Sequence, residues 1–129
     1  MTPAALRVVV VEEHDLLRGE IIRRLRLGGC TVAGAGRAGD LPLLLSQSAP
    51  DAVVLGDGPA TDEGFRLARR LRRTMPSLGI LMLTARNDEA DRVRGYQSGA
   101  DVCLAKSVDG AELVAALRSI ASRCAAAGS

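Results

Sequence analysis

The stretch GILMLTARNDEADRVRGYQSGADVCLAKS, residues 79–107, decides the fold. Gly79 to Leu83 is apolar without alternation, which predicts a strand covered on both faces. Asn87 to Ser98 predicts a helix, with an Asn cap, acids in its first turn and Gly99 behind it. Val102 to Ala105 then returns to a short apolar strand. The same alternation runs outward in both directions. Upstream lie a strand at Leu6 to Val11 and a helix at Asp15 to Leu27, its Leu17, Ile21 and Leu25 at helical spacing and Gly28-Gly29 at its end. A strand at Cys30 to Ala35 and a short helix at Asp40 to Ser48 follow, with Pro42 in the helix's first turn. Then come a strand at Ala52 to Leu55, a loop at Asp57 to Asp62, and an Arg-rich helix at Glu63 to Thr74 closed by Pro76. Downstream, Asp109 to about Cys124 predicts a last helix with Leu113, Leu117, Ile120 and Cys124 on one face. Five strand–helix units predict an α/β domain over residues 1–124, a parallel sheet with helices on both faces. Residues 125–129 are expected to be a tail or linker remnant.

Composition narrows the function. The chain has 129 residues, 25% charged and 47% hydrophobic, which fits one ordinary domain and not a disordered segment. A net charge of +2 argues against direct nucleic-acid binding by this domain. Phe65 and Tyr96 are the only aromatics, so base-stacking platforms are lacking. No apolar run reaches membrane-spanning length, and Met1 to Leu6 do not read as a secretion signal, so a cytoplasmic location and no membrane partner are expected. Cys30, Cys103 and Cys124 are too scattered for a zinc site or a disulfide framework. With His14 the only histidine and no catalytic constellation evident, an enzyme is not expected. The other basic residues are all arginine, which singles out Lys106.

In open parallel sheets, ligands bind at the carboxyl ends of the strands. Those ends carry Glu12 and Glu13 after the first strand, Gly56 and Asp57 after the third, Thr84 after the fourth and Lys106 after the fifth. Carboxylates of this kind hold Mg²⁺, and a hydroxyl with an ammonium suits phosphoryl oxygens.

Over almost its whole length the chain resembles the receiver domain of bacterial two-component response regulators. The resemblance rests on VVVVEEHDLLR (Val8 to Arg18), PDAVVLG (Pro50 to Gly56), LMLTAR (Leu81 to Arg86) and SGADVCLAKS (Ser98 to Ser107). The stretch TARNDEADRVRGYQSGAD is similar to regulators with a winged-helix DNA-binding output domain. The resemblance implies a flavodoxin-like (βα)5 fold with strand order 2-1-3-4-5. It also implies an acid pair and an acceptor aspartate that bind Mg²⁺, phosphoryl transfer from a histidine kinase, Ser/Thr and Lys contacts to the phosphoryl group, and an aromatic switch residue. Carried over, the acid pair falls on Glu12 and Glu13, the phosphoryl contacts on Thr84 and Lys106, and the switch on Cys103.

The acceptor position falls on Gly56, counted forward from Pro50-Asp51 or back from Gly64. Glycine has nothing to phosphorylate. Asp57 is one residue late and becomes an acceptor only if the strand end slips or bulges. Ser107 replaces a usual proline. The expectation is therefore an atypical, phosphorylation-independent receiver. It binds Mg²⁺ weakly or not at all, through Glu13 and Asp57, and Lys106 pairs with Glu12 or Glu13. In the winged-helix subfamily, helix 4, strand 5 and helix 5 form a symmetric dimer. Arg92, Asp101 and Glu112 match that face, while Val102 and Ala116 do not. The resemblance thus implies a homodimer, a histidine kinase or small-molecule ligand as partner, and DNA contact only through an output domain outside this chain.

Three competing readings carry less. Gly34, Gly36 and Gly39 satisfy GxGxxG, a dinucleotide-binding fingerprint, but follow the second strand. His14 is read as a solvated loop residue rather than part of the acidic site. Arg69, Arg70, Arg72 and Arg73 are read as a solvated face rather than a surface for nucleic acid.

Overall fold

The computed structural model describes residues 5–56, 63–85 and 88–128. Five strands, β1 (Arg7–Val11), β2 (Thr31–Ala35), β3 (Ala52–Gly56), β4 (Gly79–Thr84) and β5 (Val102–Ala105), alternate with five helices. The helices are α1 (Asp15–Leu27), α2 (Leu41–Ser48), α3 (Glu63–Thr74), α4 (Glu89–Gln97) and α5 (Gly110–Gly128). All strand pairs are parallel and the order is β2-β1-β3-β4-β5, the flavodoxin-like arrangement.

The unbroken apolar runs have a simple cause. Val9, Val11, Val53, Leu55, Ile80 and Met82 pack on one side with Leu41 of α2 and Phe65, Leu67 and Leu71 of α3. Val8, Val10, Val54, Leu81 and Leu83 pack on the other with Ile21 and Leu25 of α1 and Leu113, Leu117 and Ile120 of α5. With both faces covered, no polar residue is tolerated between the apolar ones.

Element boundaries differ from the sequence reading in instructive ways. His14 is an exposed residue just ahead of α1, as expected, and has a further role: its Nδ1 accepts the Leu17 N–H at 3.2 Å and caps the helix. The segment before Pro42 is a 3-10 turn over Ala38–Asp40, so α2 itself is shorter than expected. The cap of α4 is Asp88, whose Oδ1 accepts the Asp91 N–H at 2.9 Å. Asn87, the expected cap, lies outside the described residues. Residues 125–128 continue α5, which runs to Gly128, as the high helix propensity of alanine allows.

Arg72 is structural rather than part of a solvated face. Its guanidinium donates to the carbonyls of Gly99, Pro76 and Leu78 and, at 2.7 Å, to Asp101 Oδ2. Arg69, Arg70 and Arg73 are exposed.

Candidate functional site at the carboxyl ends of the strands

The register assembles the site. Val11 pairs with Leu55, Gly56 with Leu83, and Thr84 with Ala105. The residues that follow, Glu12, Gly56, Thr84 and Lys106, therefore sit along one rim on four consecutive strands. Backbone bonds fix two of them: the Glu12 N–H donates to Ala35 O at 3.0 Å and the Lys106 N–H to Thr84 O at 2.9 Å.

The two members of the acid pair separate. Glu13 is exposed, whereas the Glu12 side chain is only 3% exposed and turns inward. Its Oε1 lies 2.9 Å from Lys106 Nζ, and its Oε2 accepts the His14 N–H at 3.3 Å. Of the two partners anticipated for Lys106, the structure selects Glu12. The ion pair joins β1 to β5, three strand spacings apart, roughly 14 Å. It crosses the rim where β3 ends in Gly56. Ion pairs this buried are costly to break, because the remaining charge has no water.

Beside Glu12 and Gly56 the chain leaves a cavity of about 30 Å³, lined also by Val11, Glu13, Gly36, Glu63, Gly64 and Leu67. That is room for a water or two. Thr84 is fully buried, and its hydroxyl has no hydrogen-bond partner among the described residues. A separate cleft is lined by Glu13, Asp15, Asp40 and Glu63 around Arg37. Asp40 and Glu63 escaped the sequence reading because neither follows a strand.

Among the described residues no complete set of Mg²⁺ donors is assembled. Gly56 offers no oxygen from a side chain, Glu12 is engaged by Lys106, and no group of three or more His, Cys, Asp or Glu among the described residues is placed to hold a metal. Asp57, the fallback acceptor and metal ligand, lies outside the described residues.

Cys103 is 4% exposed on β5, with its Sγ 3.9 Å from Arg92 O. Burial pushes its thiol up to about 11, so it behaves as a small hydrophobe and not as a thiolate. A Cβ on Gly95 of α4 would lie 2.3 Å from that sulfur, so α4 rests directly on β5 at the switch position. Gly95 carried no signal in the sequence, since its role depends on a residue eight places on. On the candidate dimer face, Glu112 is exposed and Arg92 half-buried, while Asp101 Oδ2 is taken by Arg72 and the Ile80 N–H.

Two of the three GxGxxG glycines serve packing, while Gly39 faces open space. A Cβ at Gly34 would meet Ile22 Cδ1 at 2.6 Å, and one at Gly36 would meet Arg18 Nη1 at 2.9 Å. Side chains of α1, Ile22 and Arg18, occupy the space beside these two glycines.

A doubly wound five-stranded sheet with acid, hydroxyl and lysine along its carboxyl rim defines a receiver-type signalling domain. The chain belongs to the response regulator receiver domain family, which matches residues 8–118. It is 38% identical to the transcriptional regulatory protein AfsQ1 of Streptomyces coelicolor over 90% of its own length and 51% of that protein's. It is 35% identical to the response regulator MprA of a Mycobacterium species over 92% of its length and 51% of that protein's. The chain thus spans about half the length of the curated relatives it matches. Among solved structures, the signal receiver domain of NarL from Mycobacterium tuberculosis superposes with a TM-score of 0.82 at 28% identity, covering 93% of this chain and 98% of that one. This is a receiver domain of two-component signalling, a class that communicates with histidine kinases and output domains. No helix among the described residues is long and apolar enough to cross a membrane.

Proposed function

We propose that this receiver regulates transcription without being phosphorylated. The observation that carries the reading is the Glu12–Lys106 ion pair at 2.9 Å beside a strand end, Gly56, that has no side chain to accept a phosphoryl group. The lysine that would greet an incoming phosphoryl oxygen already holds a carboxylate. Thr84 remains in place, but the cavity beside Glu12 is water-sized. On this reading the domain is not an enzyme, and Mg²⁺ binds weakly or not at all. The chain acts in the cytoplasm, as response regulators do.

Its output is then set by partners rather than by phosphoryl chemistry. The partner we favour is a second copy, joined through α4, β5 and α5 with Arg92 and Glu112 at the interface. A histidine kinase or small ligand is the alternative source of input, and DNA is reached only through an output domain outside this chain. Small buried residues at the switch, Cys103 against Gly95, support a fixed rather than a moving α4–β5 junction.

Intact-protein mass after incubation with Mg²⁺ and acetyl phosphate tests the proposal. No adduct is the expected result. A phosphoryl adduct that disappears in Asp57→Asn would overturn it and make Asp57 a shifted acceptor. Sedimentation or light scattering of the untreated chain tests the dimer, which Arg92→Glu should dissociate; a monomer at high concentration would refute it.

A further inference from the structure

We propose that Glu12 is the resident anion of this pocket: Gly56 leaves the space, the Glu12 carboxylate fills it, and Lys106 is neutralised from within. The inference rests on the reading above and deepens it. A Cβ at Gly56 would lie 2.7 Å from Glu12 Oε1, 3.0 Å from Cδ and 3.1 Å from Oε2, so its three nearest neighbours all belong to one carboxylate group. Any other residue at 56 therefore has to displace Glu12.

The carboxylate is tied at both ends. Oε1 faces Lys106 at the start of the β5–α5 connection, and Oε2 faces the N–H of His14, the cap of α1. One buried group thus links β1, inside the sheet, to the β5 edge of the rim. The site has the chemistry of a small-oxyanion site, with a half-buried ammonium and, on the next strand end, a buried hydroxyl that has no partner among the described residues. Here the anion comes from the chain itself. Gly56 and Glu12 are two parts of one device, and loss of the acceptor side chain is what makes room for its replacement.

Two consequences separate this from a simple loss of the acceptor. First, Gly56→Ala should lower the urea midpoint, although alanine suits a strand interior better than glycine does. Combined with Glu12→Gln, which keeps the volume, it should do the same. Combined with Glu12→Ala, which removes the volume, Gly56→Ala should leave the midpoint unchanged or raise it. Second, Glu12→Ala should open a site for an external carboxylate. Acetate at constant ionic strength should raise the thermal midpoint of Glu12→Ala by a few degrees, and leave the wild type and Glu12→Gln where they are in chloride. The mass law for a ligand that binds only the folded state gives that rise its concentration dependence.

A Gly56→Ala midpoint equal to or above wild type would overturn the proposal, and so would equal acetate responses in all three proteins. If Glu12→Ala does not fold, the sign of Gly56→Ala in the wild type and in the Glu12→Gln variant decides it. These readouts are independent of phosphorylation. An adduct on Asp57 with intact Gly56–Glu12 coupling would refute the phosphorylation-independent reading alone, and no adduct with no coupling would refute the resident anion alone.

Discussion

Replacing Gly95 with alanine should destabilise this domain, although Gly95 lies in a helix. Glycine is about 0.8–1 kcal/mol worse than alanine in a helix, so propensity by itself predicts a gain of that size. The tertiary structure opposes it. The added Cβ would sit 2.3 Å from Cys103 Sγ, whereas non-bonded heavy atoms rest roughly 3.5–4.0 Å apart. More than an ångström must be found by lifting α4 from β5 or rotating a thiol that is 4% exposed. Overpacking of this kind costs roughly 1–3 kcal/mol, so the net change is a loss of up to about 2 kcal/mol. Cys103→Ala removes the sulfur. The contacts that remain, to the Cβ of residue 103 at 3.7 Å and to Phe65 Cε1 at 3.9 Å, are ordinary. In the Cys103→Ala background, Gly95→Ala should therefore return the propensity gain of about 1 kcal/mol. Equilibrium urea unfolding of the four proteins, followed by far-UV circular dichroism, gives the coupling directly. If Gly95→Ala stabilises both backgrounds equally, α4 does not rest on Cys103 and the fixed junction inferred at the switch position is wrong.

The other predictions concern buried charge and the thiol. Lys106→Met strands the Glu12 carboxylate, and breaking a buried pair costs roughly 3–5 kcal/mol. Lys106 is itself 21% exposed, so urea unfolding should show a loss near the lower bound; a change under about 0.5 kcal/mol, as for an exposed pair, would mean Glu12 is not held as described. Arg72→Met removes donors to three carbonyls and to Asp101, and a loss of at least about 2 kcal/mol is expected, whereas Arg73→Met, on the exposed face, should stay within about 0.5 kcal/mol. The Cys103 thiol ionises at about 11 when folded, raised by burial from an ordinary 9.0. A raised pKa means the folded state holds the proton longer, so this stabilisation is complete below pH 9 and is lost as pH rises through 11. The slope between them should reach about 1.4 kcal/mol per pH unit, and Cys103→Ala should remove the Cys103 share.

Much of the rim was legible because topology turns chain position into space. Once the strands are parallel, whatever follows each strand lies on one edge, so Glu12, Thr84 and Lys106 could be grouped without coordinates. Gly56 stood out at a position where the family carries an aspartate. What could not be read was the fate of each side chain. Glu12 and Glu13 are chemically alike and adjacent, yet one is buried and the other exposed, because the pleat turns neighbours apart. His14 is the exposed loop histidine its position suggested, but its capping bond to the Leu17 N–H could not be read.

The sequence by itself determined the order of strands and helices and the apolar faces, because periodicity and turn residues act over a few neighbouring positions. Only the tertiary structure decided which carboxylate meets Lys106, that Gly56 opens the space for it, and that Gly95 makes way for a sulfur on β5. These contacts join different elements, Glu12 with Lys106 across most of the chain and Gly95 with Cys103 from a helix to the next strand. Local propensity carries no information about such distances. They are settled when sheet and helices pack to solid density and each side chain takes the volume its neighbours leave.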